Sequence, residues 1–238
     1  MRVNWNILKL LFALVILGGI FGFAQKRNSV RKLSKIQIEF VDENNPMITL
    51  ATVNKLLIQN NDSVTSISKE TLVLEEMESR LLQNDMVRDA QVFVTVDGKL
   101  GAKIEQKNPI ARVVSSPNYY VDEDGEKMPL SKVYAARVPL VTGNSKKNFT
   151  ELTPLLLKIR EDEFMKHTVI GVHKNNDGTI ELELRKMDYK IHFGKLDHIE
   201  RKFQNYKAFY HKIKKENMLA AYNMVDLQFG NQVVATKK

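Results

Sequence analysis

Residues 86–112 read MVRDAQVFVTVDGKLGAKIEQKNPIAR, and this stretch decides the fold of the first half of the chain. Val92, Val94 and Val96 alternate in one strand. Asp97-Gly98 supplies a two-residue turn, and Leu100, Ala102 and Ile104 alternate in the return strand. Working upstream, Leu74, Met77, Leu81 and Leu82 recur at helical spacing, preceded by a polar loop from Gln59 to Ser66. Before that loop, Thr49 is placed to cap a helix whose apolar stripe is Leu50, Val53, Leu56 and Leu57. Further back, residues 36–41 (IQIEFV) alternate as a strand, and residues 42–46 (DENNP) make a turn. The order is β-α-α-β-β.

Ahead of this unit, residues 10–24 (LLFALVILGGIFGFA) carry no charge. With Ile7, Leu8 and a Lys9 able to snorkel, the segment reaches the length that spans a bilayer, and Trp5 falls at headgroup level. Leu10, Phe12, Leu14, Ile16, Leu17 and Phe21 are its membrane-facing candidates. A cleaved signal peptide is the competing reading, because Gly22-Phe23-Ala24 has small residues where signal peptidase prefers them. Of the net charge of +8, residues 1–25 contribute +2 and residues 26–35 contribute +5, leaving +1 on the remaining 203. The excess (Lys26, Arg27, Arg31, Lys32, Lys35) belongs beside anionic headgroups, and the nearly neutral remainder argues against a nucleic-acid-binding face. By the positive-inside rule alone, this cluster votes for a cytoplasmic C-terminus.

Downstream, residues 119–130 (YYVDEDGEKMPL) read as two short strands about an acidic turn. The calcium-loop reading of Asp122 and Asp124 fails for want of the other oxygen ligands. Residues 138–143 (VPLVTG) close that segment, and Phe149 to Phe164 reads as a helix carrying Leu152, Leu155, Leu156 and Ile159. Strands follow at 169–174, at Ile180, Leu182 and Leu184, and at Tyr189, Ile191 and Phe193, adjacent and antiparallel, each with one wet face. A helix then places Leu196, Ile199, Phe203, Tyr206, Tyr210 and Ile213 on one stripe, with Lys195, Arg201, Lys202, Lys207, Lys212 and Lys214 covering the rest. Last comes residues 222–234 (YNMVDLQFGNQVV), in which Val225, Leu227 and Phe229 alternate with Asp226 and Gln228.

Chemistry is missing from this pattern. The chain has no cysteine, which excludes disulfides, thiolate metal sites and a cysteine nucleophile. His167, His173, His192, His198 and His211 form no HExxH pair, and there is no phosphate loop or GxSxG elbow. Asn148-Phe-Thr150 matches a glycosylation sequon, a match common by chance. The expectation is a protein that is no enzyme, with no cofactor and no metal.

The β-α-α-β-β unit directly after a single anchor resembles a POTRA domain. Residues 86–94, the DG turn and residues 104–112 are similar to the "V-x-x-A-x-V", hairpin and "x-x-P-x-A" run of the FtsQ/DivIB family. Asp85-Met86 stands where that family often has Pro-Trp. The tyrosine, aspartate and glycine of residues 119–125, the proline and glycine of 138–143 and the terminal "VDLQFGNQVV" follow the same family in the same order. The resemblance implies an α+β fold: a single transmembrane helix, a POTRA-like domain, and a mixed antiparallel β domain with flanking helices. The implied organisation is a cytoplasmic tail over 1–9, an anchor over 10–24, a basic linker over 25–35, the POTRA-like domain over 36–113 and the β domain over 114–238.

It further implies a non-enzymatic, single-pass scaffold of the bacterial divisome, with its N-terminus cytoplasmic and its bulk periplasmic, enriched at the division site. FtsB-like and FtsL-like bitopic proteins are the implied partners, with FtsK and septal synthase components as further ones; neither nucleic acid nor a small-molecule substrate is expected. A terminal strand at a sheet edge offers unpaired N–H and C=O groups to a partner segment. That places the partner contact on Tyr222, Met224, Val225, Asp226, Leu227, Gln228 and Phe229, unless the strand is internal and merely core. The alternative within the same fold is an envelope factor for outer-membrane protein translocation or assembly, which would want several POTRA repeats and a barrel. An anchored binder of a small ligand is a third reading.

Overall fold

The computed structural model describes residues 5–29, 33, 35–42, 45–58, 73–95, 97–143, 149–230 and 232–238. Arg2, Arg31, Lys32, the loop from Gln59 to Ser66, Val96 and Asn148, with the side chains of Ile7, Leu8 and Arg27, lie outside the described residues. The chain divides into two compact units, Met1–Gln106 and Lys107–Lys238.

Helix α1 (Trp5–Ser29) opens the first unit. From Lys9 to Lys26 its side chains are all exposed, Leu10, Phe12, Leu14, Ile16, Leu17 and Phe21 among them. Eighteen residues at 1.5 Å rise give about 27 Å of apolar helix, close to the thickness of a bilayer core. Nothing in a watery environment stabilises such a surface, so the helix is long and apolar enough to cross a membrane. It runs without a break through Ala24.

The rest of the unit is a three-stranded sheet in the order β1-β3-β2, from β1 (Ile36–Phe40), β2 (Val87–Val94) and β3 (Leu100–Gln106). Strand β1 runs parallel to β3, and β2 antiparallel to it. The parallel pair requires a crossover, which α2 (Leu50–Ile58) and α3 (Leu74–Leu82) provide. Val53, Leu57, Met77 and Leu81 are buried with Val87, Ala90, Val92, Leu100, Ala102 and Ile104. Thr49 accepts a hydrogen bond from Thr52 N at 3.1 Å, as the capping reading requires. Leu50 and Leu82 drop out of the predicted stripes and face solvent. The β2–β3 turn is longer than Asp97-Gly98 alone. Thr95 N donates to Lys99 O at 2.9 Å and Gly98 N to Thr95 O at 3.0 Å, with Gly98 at φ 85°.

The second unit is one nine-stranded mixed sheet in the order β12-β11-β10-β9-β8-β7-β4-β5-β6. Its strands are β4 (Pro109–Val113), β5 (Tyr119–Asp122), β6 (Lys127–Met128), β7 (Leu140–Gly143), β8 (Val169–Lys174), β9 (Ile180–Leu184), β10 (Lys190–Gly194), β11 (Tyr222–Asp226) and β12 (Val234–Lys237). Pro109–Val113, grouped by sequence with the first domain, pairs in this second sheet.

Strands β8, β9 and β10 are adjacent and antiparallel, as expected. Three further pairs are parallel: β7 with β8 and β10 with β11, between which helices intervene in sequence, and β4 with β7. A 3-10 turn (Thr150–Leu152), α4 (Thr153–Glu161) and α5 (Glu163–Thr168) make the first crossover, and α6 (Ile199–Lys215) makes the second. Leu155, Leu156 and Ile159 of α4 share one core with Phe203, Tyr206 and Ile213 of α6 and with Val172, Leu182, Ile191 and Val225 of the sheet. The acidic turn is a hairpin: Asp122 accepts from Asp124 N and Glu126 N at 3.1 and 2.8 Å, and Lys107 lies 3.3 Å from its second oxygen.

Candidate functional site: the terminal edge of the large sheet

The predicted partner strand is not the edge. Strand β11 lies between β10, which it meets in parallel, and β12, which it meets in antiparallel register. The sequence from Tyr222 to Val234 therefore folds as a hairpin rather than as one closing strand, and β12 is the terminal strand of the sheet. The chain reverses after Phe229, whose carbonyl accepts from Gln232 N at 3.4 Å.

This burial changes what the predicted residues do. Val225 and Leu227 are 0% and 1% exposed and belong to the core. Leu227 N donates to His192 O at 2.9 Å, which extends the β10–β11 ladder past Asp226. Met224, Gln228 and Phe229 are exposed, while Tyr222 and Asp226 are half-buried. Gln228 lies over Gly194, where a Cβ would come within 2.5 Å of its side chain, and Gly194 itself sits at φ 75°. Across the register, Met224 stands between Lys190 and Thr236, and Asp226 between His192 and Val234.

Helix α6 fixes this hairpin from one face. Its last turn ends on Asn217 in the left-handed conformation, φ 54°, and Met218 N closes the turn onto Ile213 O at 2.8 Å. Phe209 then meets Tyr222 edge-to-face at 5.4 Å, and Asn205 Nδ2 donates to Gly230 O at 3.4 Å. The helix is itself fixed by two buried polar contacts. Tyr206 and Tyr189 hydroxyls lie 3.2 Å apart, and burial pushes the Tyr206 phenol far above its ordinary range, with the Tyr189 bond acting in the same direction.

Lys202, placed by the sequence reading on the solvated face, is 3% exposed. Its Nζ donates to Phe193 O at 3.1 Å, to Lys195 O at 2.8 Å and to Asp197 Oδ1 at 2.5 Å, so the ammonium is fully engaged. The sequence holds one signal for this: Lys202 follows Ile199 by three residues and adjoins Phe203, both members of the apolar stripe.

The edge residues that the sequence reading passed over are Val234, Ala235, Thr236 and Lys237. Lys238 N donates to Ala221 O at 3.0 Å, on the β11 side. Strand alternation then turns the backbone groups of Thr236 inward and leaves the N–H and C=O of Ala235 and Lys237 on the outer side. Val234 is exposed beside Met224 and Phe229 on this end of the sheet. Such an edge is equipped to take up an extended segment through main-chain hydrogen bonds. Among the described residues no group of three or more histidine and carboxylate side chains is arranged to hold a metal ion.

The model of the FtsQ/DivIB C-terminal related domain matches residues 108–236, more than half of the chain and all of the sheet from β4 to β12 except Lys237. No curated protein matches the chain.

Proposed function

The chain belongs to the FtsQ/DivIB family, whose members act in bacterial cell division, and on that premise we propose that it is a non-enzymatic, single-pass scaffold of the divisome. In this reading α1 holds the protein in the inner membrane with the N-terminus cytoplasmic, and both folded units stand in the periplasm at the division site. FtsB-like and FtsL-like bitopic proteins bind it, and through them early septal assembly is coupled to septal peptidoglycan synthesis. FtsK and septal synthase components are further partners on the same premise. The observation that carries the reading is the family match over residues 108–236, nearly all of the mixed sheet.

The partner contact belongs to the β11–β12 hairpin. Ala235 and Lys237 of the open edge supply the backbone groups, while Tyr222, Met224 and Phe229 supply side-chain selectivity. Val225 and Leu227 act from within by holding β11 in place, and Asp226 and Gln228 fix the turn beyond it, Gln228 N donating to Asp226 Oδ1 at 2.8 Å. The alternative of an outer-membrane translocation or assembly factor has no observation in its favour.

An N-terminal fluorescent fusion, imaged in dividing cells with and without residues 234–238, tests the proposal. A midcell band in the full chain, with partner recruitment lost on truncation, supports it. A uniform rim in both would remove the division reading for this chain.

A further inference from the structure

The small sheet of the first unit ends on β2, and this edge is occupied. Glu78, on α3, reaches across and its Oε1 accepts a hydrogen bond from Val92 N at 2.7 Å. An antiparallel edge strand presents every second N–H outward. Val92 N–H is therefore an outward group, satisfied by a carboxylate where a neighbouring strand would otherwise bond.

The strand it closes has the composition of a self-pairing segment. Val87–Val94 contains no proline and no glycine, Arg88 and Asp89 cancel in charge, and it ends in Val92-Phe93-Val94 with Phe93 half-exposed. A two-fold axis through Gln91 would lay β2 of a second copy antiparallel to the first. Val92 of each copy then faces Ala90 of the other, with outward groups meeting outward groups, and no like charges stand opposite one another. Copies of a membrane-anchored chain share a two-dimensional surface, where such an edge meets its own kind often.

We infer that Glu78 is a guard: its bond to Val92 N–H closes the β2 edge against β2 of a second copy of this chain. The side chain satisfies the donor and occupies the place a neighbouring strand would fill, a form of edge protection.

The chain has no cysteine, so a single thiol reports the contact without interference. Gln91 is exposed, and the two Gln91 positions would form a non-hydrogen-bonded cross-strand pair at about 4.5 Å between Cα atoms, near the range a disulfide bridges. The experiment compares Q91C, E78A/Q91C, E78Q/Q91C and E78A/Q91C/V92P, each full-length in native membranes under mild oxidation. Disulfide-linked dimer is expected to rise about tenfold in E78A/Q91C over Q91C, since an orphaned N–H favours any strand that satisfies it. E78Q/Q91C should stay at the Q91C level, because its amide oxygen still accepts. Val92→Pro removes the donor and should return the E78A background to that level. Equal cross-linking of Q91C and E78A/Q91C, whether both are high or both low, overturns the inference. Cross-links that persist with Val92→Pro come from unfolded chains and count against it.

Discussion

Ala235→Pro is expected to separate the proposed partner contact from folding, because the outward N–H of Ala235 takes no part in the β11–β12 ladder. Proline is tolerated on an edge strand when the missing N–H faces solvent, so the free protein should melt within about 3 °C of the wild type. A partner strand added along β12 gains about four main-chain hydrogen bonds from Ala235 and Lys237, each worth about 1 kcal/mol net. The substitution removes one of these and leaves the partner's carbonyl desolvated without a donor, a cost of about 1–3 kcal/mol. The pyrrolidine ring also fills the space where the partner backbone would lie. Together the loss is about 2–4 kcal/mol, a weakening of roughly 30- to 1000-fold. Calorimetric titration of the full-length protein, in nanodiscs, with the soluble segment of the proposed FtsB-like partner reads that change directly. Thr236→Pro is the contrasting variant: its N–H points at β11, so it should lower the melting temperature as well as binding. An Ala235→Pro protein that melts normally and binds at full strength would refute the assignment of the contact to the β12 edge.

Leu227→Pro is expected to behave differently, since it breaks the bond to His192 O and disturbs a fully buried position; a loss of about 3 kcal/mol or more should appear in denaturant unfolding, with partner binding lost only through unfolding. Lys202→Met strands the carbonyls of Phe193 and Lys195 that the ammonium now serves, and should cost about 2–3 kcal/mol by the same measurement. Asp162 caps α5 through Phe164 N and Met165 N and pairs with Lys207; burial works against its charge, but the lysine and the two N–H donors outweigh it and hold the carboxyl below its ordinary 3.8. Its folded value is depressed, so its contribution is complete above about pH 5 and fades as pH falls through 4 and lower. Asp162→Ala should accordingly cost about 1 kcal/mol at pH 7 and flatten the acid limb of a stability-versus-pH curve.

The local half of this fold was legible because local rules govern it. Period-two alternation located β2, β3, β8, β9 and β10, and the 3.6-residue stripe located α3 and α6, since each pattern is imposed by one buried face. Thr49 announced its cap by residue type alone. Register and neighbour order obey no local rule. That Pro109–Val113 pairs with Tyr119–Asp122 on one side and, in parallel, with Leu140–Gly143 on the other depends on the path of the chain from β6 to β7, and no residue in 109–113 encodes it. Lys202 was misplaced for a related reason. Helical spacing put it beside the buried face, but only the close approach of the 193–197 backbone turned a surface lysine into a buried one with three acceptors.

The same logic explains why the sequence pattern points to β11 and not to the edge strand. Hydrophobic alternation measures burial, and burial is greatest where a strand is flanked on both sides. Val225 and Leu227 therefore mark an interior strand by the very signal that made them conspicuous. Strand β12 is four residues long, ends in Thr236-Lys237, and exposes three of its four side chains. Shortness and a lysine are among the features that keep an open edge from collecting other strands. An open edge with few apolar side chains lacks the alternation that marks a strand in sequence. Glu78 on the other sheet solves the same problem by the opposite means, leaving Val92 and Phe93 apolar and blocking the N–H instead. An open edge with muted side chains and a closed edge with adhesive ones are two ways of managing an edge strand. Strand β12 follows the first and β2 the second.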